Sequence, residues 1–374
     1  MSLFNVYPLF DITLVKANDV YVYDDNNTQY LDFYGGHAVI SIGHSHPEYV
    51  KAITNQLQKI AFYSNSIQNP LQVALASKLV NVSNCNDYHL FFCNSGAEAN
   101  ENALKLASFH TGKKKVVSFK NSFHGRTSAA VAATDNLKII APINAQQEVE
   151  FIELGDLNTV EKALQKNDVC AVIIEIIQGI GGLDESTTEF YQGLDRLCKK
   201  YNTLFIADEV QSGFGRTGDF FAFQKHQITP DIISMAKGMG NGFPIGGILI
   251  HPTIKASFGL LGTTFGGNHL ACAASTAVLT VLESENLLKN AIDMEAYFVE
   301  KVQNIPKLKA IKGRGLMLGL EFDFPIAELR KKLIFDHHIF TGSAKNPNLL
   351  RILPPLTIKK KHIDLFIDAL KKEL

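Results

Sequence analysis

The chain has 374 residues, with 36 Lys and Arg against 37 Asp and Glu, 46% hydrophobic residues, five cysteines and no Trp. That length is past the point where one hydrophobic core stops growing, which predicts two domains, and the near-average composition excludes a disordered, collagenous or coiled-coil chain. A formal charge of −1 leaves no global field for nucleic acid or anionic lipid, and no stretch reaches the roughly 18 apolar residues of a membrane span.

Cys85, Cys93, Cys170, Cys198 and Cys272 are odd in number and form no CxxC pair. They read as free thiols in a reducing compartment, with neither a disulfide framework nor a zinc site. The first 19 residues carry no basic stretch followed by an apolar run, so a cytoplasmic protein is expected.

In chain order, residues 20–23 and 30–33 flank the turn-forming run Asp24-Asp25-Asn26-Asn27 and predict a hairpin. Gly35-Gly36 and His44-Ser45-His46-Pro47 follow, with Pro47 suited to the first turn of a helix that runs to about Ala61. From Leu71 onward helical patterns alternate with short apolar runs at 88–93, 115–119, 170–177, 203–207, 232–235 and 245–250. Several runs are apolar on both faces, as strands of a buried parallel sheet are, so the expected fold is an α/β layer covered by helices. After Asn268 come long helical stretches, strands at 317–322 and 349–352 and a terminal helix from about Lys360. This tail predicts a smaller α+β domain joined by the N-terminal hairpin. The expected division is 1–45 with 269–374 in the small domain and 46–268 in the large one.

Asn94-Ser95-Gly96-Ala97-Glu98 sits where a strand run ends and a helix begins. Ser95 and Glu98 have capping-box spacing, and the same turn offers free N–H groups to a phosphate. Residues 204–211 form an apolar strand ending in Asp208-Glu209, at the carboxyl end where α/β proteins bind ligands. Gly213-Phe214-Gly215-Arg216-Thr217-Gly218 matches GxGxxG, but only about ten residues separate it from Thr229-Pro230, too few for the helix of a dinucleotide fold, and no acidic strand end follows. Ser234-Met235-Ala236-Lys237-Gly238 places a lysine after a buried strand, where desolvation can make it a nucleophilic amine. Phe123-His124-Gly125-Arg126 offers an aromatic anchor followed by a guanidinium. His44 with His46, and His337 with His338, lack a third ligand at a recognisable spacing, so no metal is expected.

A phosphate turn, an aromatic with an arginine, a strand-end Asp and then a Lys are, in that order, the parts a pyridoxal-phosphate enzyme needs. On these residues the chain resembles the fold-type I, class III aminotransferases, most of all the acetylornithine aminotransferases, from the hairpin at Asp32-Phe33 to Arg351. The resemblance implies pyridoxal 5′-phosphate as cofactor, bonded by Lys237, with Ser95, Gly96 and Ala97 at its phosphate. It implies Phe123 and Val210 on the two ring faces, Asp208 at the pyridine nitrogen and Gln211 near the ring hydroxyl. Thr264 would reach the phosphate of a neighbouring subunit and Thr263 the substrate, which implies a homodimer with shared active sites.

The implied reaction moves the terminal amine of an N-acylornithine to 2-oxoglutarate, in arginine biosynthesis. Arg126 would bind the distal carboxylate of glutamate and the carboxylate of the acylornithine, and Arg351 glutamate's α-carboxylate, since a guanidinium fork matches a carboxylate. One position departs from the family, which usually has Glu where this chain has Ile180. Ile180 cannot neutralise Arg351, so either another carboxylate does so or Arg351 stays open, and N-succinylornithine becomes an option beside N-acetylornithine. His269 for the usual Pro is a milder departure. Ornithine or 4-aminobutyrate aminotransferases are sibling readings, and a nucleotide-binding oxidoreductase built on residues 213–218 is the reading from another class.

Overall fold

A computed structural model describes residues 3–374. Its N-terminal part is a meander of β1 (Leu14–Asn18), β2 (Tyr21–Asp24) and β3 (Gln29–Asp32). The expected hairpin is β2–β3. Asp24 Oδ1 accepts from Asn26 N at 3.0 Å and Thr28 N at 2.7 Å, and Asn27 takes φ +64°, as Asn does at little cost. The preceding strand β1 is exposed and carries no hydrophobic alternation, which is why the sequence did not announce it.

The centre is a seven-stranded sheet of β4 (His89–Cys93), β5 (Lys115–Phe119), β6 (Val149–Ile152), β7 (Val169–Ile174), β8 (Leu204–Asp208), β9 (Ile232–Met235) and β10 (Gly246–Ile250). Its spatial order is β4-β10-β9-β8-β7-β5-β6. Every residue of β7, β8 and β9 is buried, the signature of a sheet covered on both faces. The pairs β9–β8–β7–β5–β6 are parallel, whereas β10 runs antiparallel to both β9 and β4. The link from β9 to β10 is too short for the crossover helix a parallel connection requires, so the chain reverses there. β6 is an edge strand of four residues, short enough to have escaped the apolar-run reading.

Helices His269–Ser284 and Leu287–Val302 lead into β11 (Leu308–Arg314), β12 (Met317–Phe322), β13 (Ile339–Phe340), β14 (Gly342–Ser343) and β15 (Leu349–Ile352), and the chain closes with helix Lys360–Glu373. β13 pairs in parallel with β3, Ile339 opposite Leu31, so the two ends of the chain share one sheet. The glycine motif at 213–218 is a junction in this region. Arg216 is 2% exposed, and its guanidinium donates to the carbonyls of Leu316, Pro354 and Ile40.

Beside that junction, buried Glu209 accepts from Ser212 Oγ at 2.6 Å, Ala222 N at 2.9 Å and Phe223 N at 2.9 Å. Burial outweighs these donors and pushes its carboxyl up to about 7. The folded chain therefore holds this proton more tightly than the unfolded one. The stabilisation is complete below the unfolded carboxylate range and is lost as pH rises through about 7. Glu209→Gln keeps an acceptor and removes the titration, so its melting temperature should fall less than the wild type's between pH 5 and 8. The wild type should lose up to about 3 kcal/mol more over that window. Parallel melting curves for the two proteins would count against a protonated Glu209.

Candidate active site

Parallel strands release their carboxyl ends on one edge of the sheet, and five of them converge there. Ser95 follows β4, Phe123 follows β5, Glu175 follows β7, Asp208 ends β8 and Lys237 lies just past β9. All five line a cavity of about 380 Å³, with Gly96, Ala97, Asn100, His124, Arg126, Ile180, Val210 and Gln211 also in its wall. That size suits a small-molecule cofactor with its substrate. Of the twelve site residues named from the sequence, nine therefore meet in one crevice. Thr263, Thr264 and Arg351 are not in its wall.

Asp208 is 3% exposed and fully engaged. Its Oδ2 accepts from Asn100 Nδ2 at 2.7 Å and lies 2.7 Å from His124 Nδ1, and its Oδ1 accepts from Val210 N at 3.0 Å. Ser234, opposite Asp208 in the β8–β9 register, donates its hydroxyl to Asn100 Oδ1 at 2.5 Å, which fixes the amide so that its N–H groups face Asp208 and the carbonyl of His124. Asn100, His124 and Ser234 were not picked out from the sequence. The available signal was a lone Asn among the buried alanines of helix Gly96–Thr111 and a lone Ser in the apolar strand β9, since buried polar groups require partners.

Lys237 takes φ +43°, a left-handed conformation that costs a non-glycine residue of the order of 1 kcal/mol and that tertiary structure must hold in place. Burial lowers its pKa, against the opposing pull of Asp208 and Glu175, which shifts the balance toward the uncharged amine. Glu175 accepts from Phe123 N at 2.8 Å and Gly179 N at 2.9 Å, and burial raises its carboxyl to about 7. It too was missed, because a single Glu after an apolar strand has no distinguishing pattern.

The turn after β4 is only half a capping box. Ser95 Oγ accepts from Glu98 N at 3.2 Å, but the Glu98 carboxylate reaches back to Asn94 N at 2.6 Å and not to Ser95 N. The N-terminus of a 16-residue helix thus opens into the cavity with Gly96 and Ala97 in its wall. A Cβ on Gly96 would stand 2.5 Å from Val210 Cγ1, so glycine is required for the close approach of turn and valine. Gly96→Ala should displace Val210 into the cavity, destabilise the protein by about 1–3 kcal/mol and weaken cofactor binding by roughly tenfold. Fluorescence titration of the apoprotein with pyridoxal phosphate reads the affinity, and an unchanged affinity would separate this turn from the cofactor site.

Arg126 is exposed at the cavity mouth. Arg351 is 2% exposed and stands behind Gln211, donating to Ser343 O at 2.6 Å, Gly179 O at 3.0 Å and Gln211 Oε1 at 3.5 Å. None of these acceptors is a carboxylate, so carbonyl oxygens do the work an acidic neighbour could have done. Thr264 is exposed, and Thr263 Oγ1 accepts from Gly266 N at 3.0 Å and lies 3.4 Å from Asn94 Nδ2. His44 pairs with Asp32 and His46 with Glu285, each at 2.9 Å.

The family description "Aminotransferase class-III" matches residues 5–374, and the chain belongs to that family. It is 40% identical to the acetylornithine aminotransferase of Bacillus subtilis, over 100% of this chain and 97% of the relative. It is also 40% identical to that of Aquifex aeolicus, over 100% and 99%. Among solved structures it superposes on the ornithine aminotransferase of Toxoplasma gondii with a TM-score of 0.90 at 27% identity, covering 98% of this chain and 90% of the other. An S-selective transaminase from Arthrobacter sp. gives a TM-score of 0.91 at 22% identity, covering 99% and 94%, a likeness of fold. The fold is thus that of the aminotransferases, with mixed sheets covered by helices. Among the described residues no helix is long and apolar enough to cross a membrane.

Proposed function

We propose that this chain is a pyridoxal-phosphate-dependent aminotransferase that moves the terminal amino group of N-acetylornithine to 2-oxoglutarate, giving N-acetylglutamate 5-semialdehyde and glutamate in arginine biosynthesis. The observation that carries the reading is the convergence of a desolvated lysine, a fully hydrogen-bonded aspartate and an open helix N-terminus in one cavity. The full-length relatives named acetylornithine aminotransferase support the substrate, and the ornithine aminotransferases stand further off at 27–28% identity.

The residues present fit the cofactor. Ser95, Gly96 and Ala97 would hold its phosphate at the helix N-terminus, Phe123 and Val210 would enclose its ring, Gln211 would lie near its hydroxyl and Asp208 would keep its ring nitrogen protonated. When bound, pyridoxal phosphate supplies an electron-withdrawing ring that stabilises negative charge on the substrate carbon. Lys237 Nζ, whose pKa burial lowers, would take the proton from that carbon as general base and deliver it to the cofactor's carbon as general acid. Glu175, whose carboxyl burial raises to about 7, holds Phe123 and Gly179 in place by accepting from their N–H groups. Arg126 would take the substrate's distal carboxylate and Arg351 the α-carboxylate of glutamate.

On the same reading the small domain is formed by 1–45 with 269–374 and the large one by 46–268. The enzyme acts in the cytoplasm as a homodimer. Exposed Thr264, Phe265 and Phe62, with rings of the last two 5.2 Å apart, support a partner surface at this edge of the cavity, as does fully exposed Phe258. Ile180 in the cavity wall keeps N-succinylornithine as the second reading, because no carboxylate bonds Arg351.

The test is the visible spectrum of the holoenzyme before and after N-acetylornithine, without any keto acid. Bleaching of the yellow cofactor band is expected. A band that N-acetylornithine leaves intact and N-succinylornithine bleaches would move the substrate, and a protein that stays colourless with pyridoxal phosphate would remove the cofactor.

A further inference from the structure

We propose that Glu175 is the counter-charge of Arg351 before the amino acceptor binds, and that it takes up a proton when the acceptor's α-carboxylate assumes that role. The proposal deepens the transaminase reading above and rests on it. It starts from the charges of the cavity wall. Arg126 and Lys237 stand in it with Arg351 behind Gln211, and its carboxylates among the described residues are Asp208 and Glu175. Asp208 is engaged by Asn100, His124 and Val210. The oxygens that Arg351 bonds belong to Ser343, Gly179 and Gln211, and none carries a full charge. A guanidinium that is 2% exposed needs a compensating charge nearby, and Glu175 is the carboxylate left to supply it.

One residue joins the two. Glu175 Oε2 accepts from Gly179 N at 2.9 Å, and Gly179 O accepts from Arg351 Nη1 at 3.0 Å. A Cβ on Gly179 would collide with Gln211 Oε1 and stand 3.4 Å from Glu175 Oε2, so both side chains close on this glycine. Glu175 Oε1 accepts from Phe123 N at 2.8 Å. The loop has other ties as well. Gln178 Nε2 donates to Lys120 O at 2.7 Å, and Lys345 N donates to Ile180 O at 2.8 Å. The charge on Glu175 can therefore change while the loop stays in place.

Burial, the largest influence, raises the Glu175 carboxyl to about 7. A charged His124, after β5, favours the carboxylate, and Asp208, at the end of β8, opposes it. Lys237 past β9 and Arg351 in β15 also feel its charge. Near neutral pH the group thus stands where one nearby charge decides its state. A substrate carboxylate on Arg351 adds negative charge, disfavours the Glu175 carboxylate and draws a proton from solvent. Acceptor binding is opposed above pH 7, where that proton must be taken up, and unopposed below it.

The test is calorimetric titration of the holoenzyme at pH 7 with glutarate, a dicarboxylate without a reacting group, in two buffers of different ionisation enthalpy. Uptake of a fraction of a proton per glutarate is expected for wild type and for Glu175→Asp, which keeps the charge, and none for Glu175→Gln. In turnover, Glu175→Gln should have a KM for 2-oxoglutarate roughly three- to tenfold below wild type at pH 8 and equal to it at pH 6. The KM for N-acetylornithine, whose carboxylate goes to Arg126, should not fall at either pH. A purely structural Glu175 has the opposite sign, with both KM values rising in Glu175→Gln at both pH values. Glutarate binding without proton uptake, equal uptake by wild type and Glu175→Gln, or a raised KM for 2-oxoglutarate overturns the counter-charge and leaves the transaminase reading standing. A wild type that neither binds glutarate nor accepts 2-oxoglutarate overturns both.

Discussion

Lys237→Ala should lower steady-state transamination by at least roughly 10⁴-fold, because the substitution removes the only lysine among the described residues of the cavity wall and with it the group proposed to move the proton. The stability of the variant should not fall with its activity. Lys237 gives the fold a desolvated amine and a left-handed φ of +43°, both of which cost free energy in the folded state. Alanine removes the first cost and keeps the second, and Lys237→Gly removes both. The expected order of melting temperature for the apoproteins is therefore Gly at or above Ala, and Ala at or above wild type. Turnover by Lys237→Ala within a hundredfold of wild type would refute the role of this lysine. Loss of the cooperative transition in both variants would show that the backbone at 237 is held by the side chain, contrary to the strain argument.

What the sequence made legible follows from how each feature is encoded. The strands 115–119 and 232–235 match β5 and β9 residue for residue, because burial on both faces writes a short, mostly apolar run. β11 was not foreseen because Lys309, Lys312 and Arg314 interrupt its pattern on a partly exposed sheet. The reversal of β10 is a property of the short connection before it and leaves no mark on its own residues. At the site, groups fixed by strand ends and by the family resemblance were named and nine of them meet in the cavity. The partners that tune them, Asn100, His124, Ser234 and Glu175, come together from four separate parts of the chain, and only the fold makes them neighbours. The left-handed turn at 35–38 is marked in the sequence only by Gly35 and Gly36, since His37 and Ala38, which share the conformation, carry no such signal.

Asp208→Asn should reduce kcat by roughly 10³-fold while leaving cofactor affinity within about tenfold of wild type. The carboxylate has three protein donors at 3.0 Å or less, from Asn100, His124 and Val210, and no exposed edge to recruit water in their place. An Asn side chain fits the same volume but has one oxygen and one amino group. Whichever way it turns, its N–H₂ faces a donor at Asn100 and His124 or at Val210 N. One buried donor is left unsatisfied at a cost of about 1–3 kcal/mol in stability. His124 would be left worse off, since its Nε2 has no hydrogen-bond partner among the described residues. The larger loss is electrostatic. A negative charge in this low-dielectric wall favours protonation of whatever basic nitrogen faces it, and a neutral amide does not. The turn at Ser95, Gly96 and Ala97, proposed for the phosphate, makes no hydrogen bond to Asp208, whose donors are Asn100, His124 and Val210, so binding of the cofactor should survive while its electron-withdrawing power falls. The measurement pairs a single-turnover rate with a pH titration of the cofactor's absorption, whose transition should shift in the variant. Asp208→Asn with near-normal kcat and an unshifted titration would assign Asp208 a structural role in anchoring Asn100 and His124, and would leave the site without the charge that this mechanism requires.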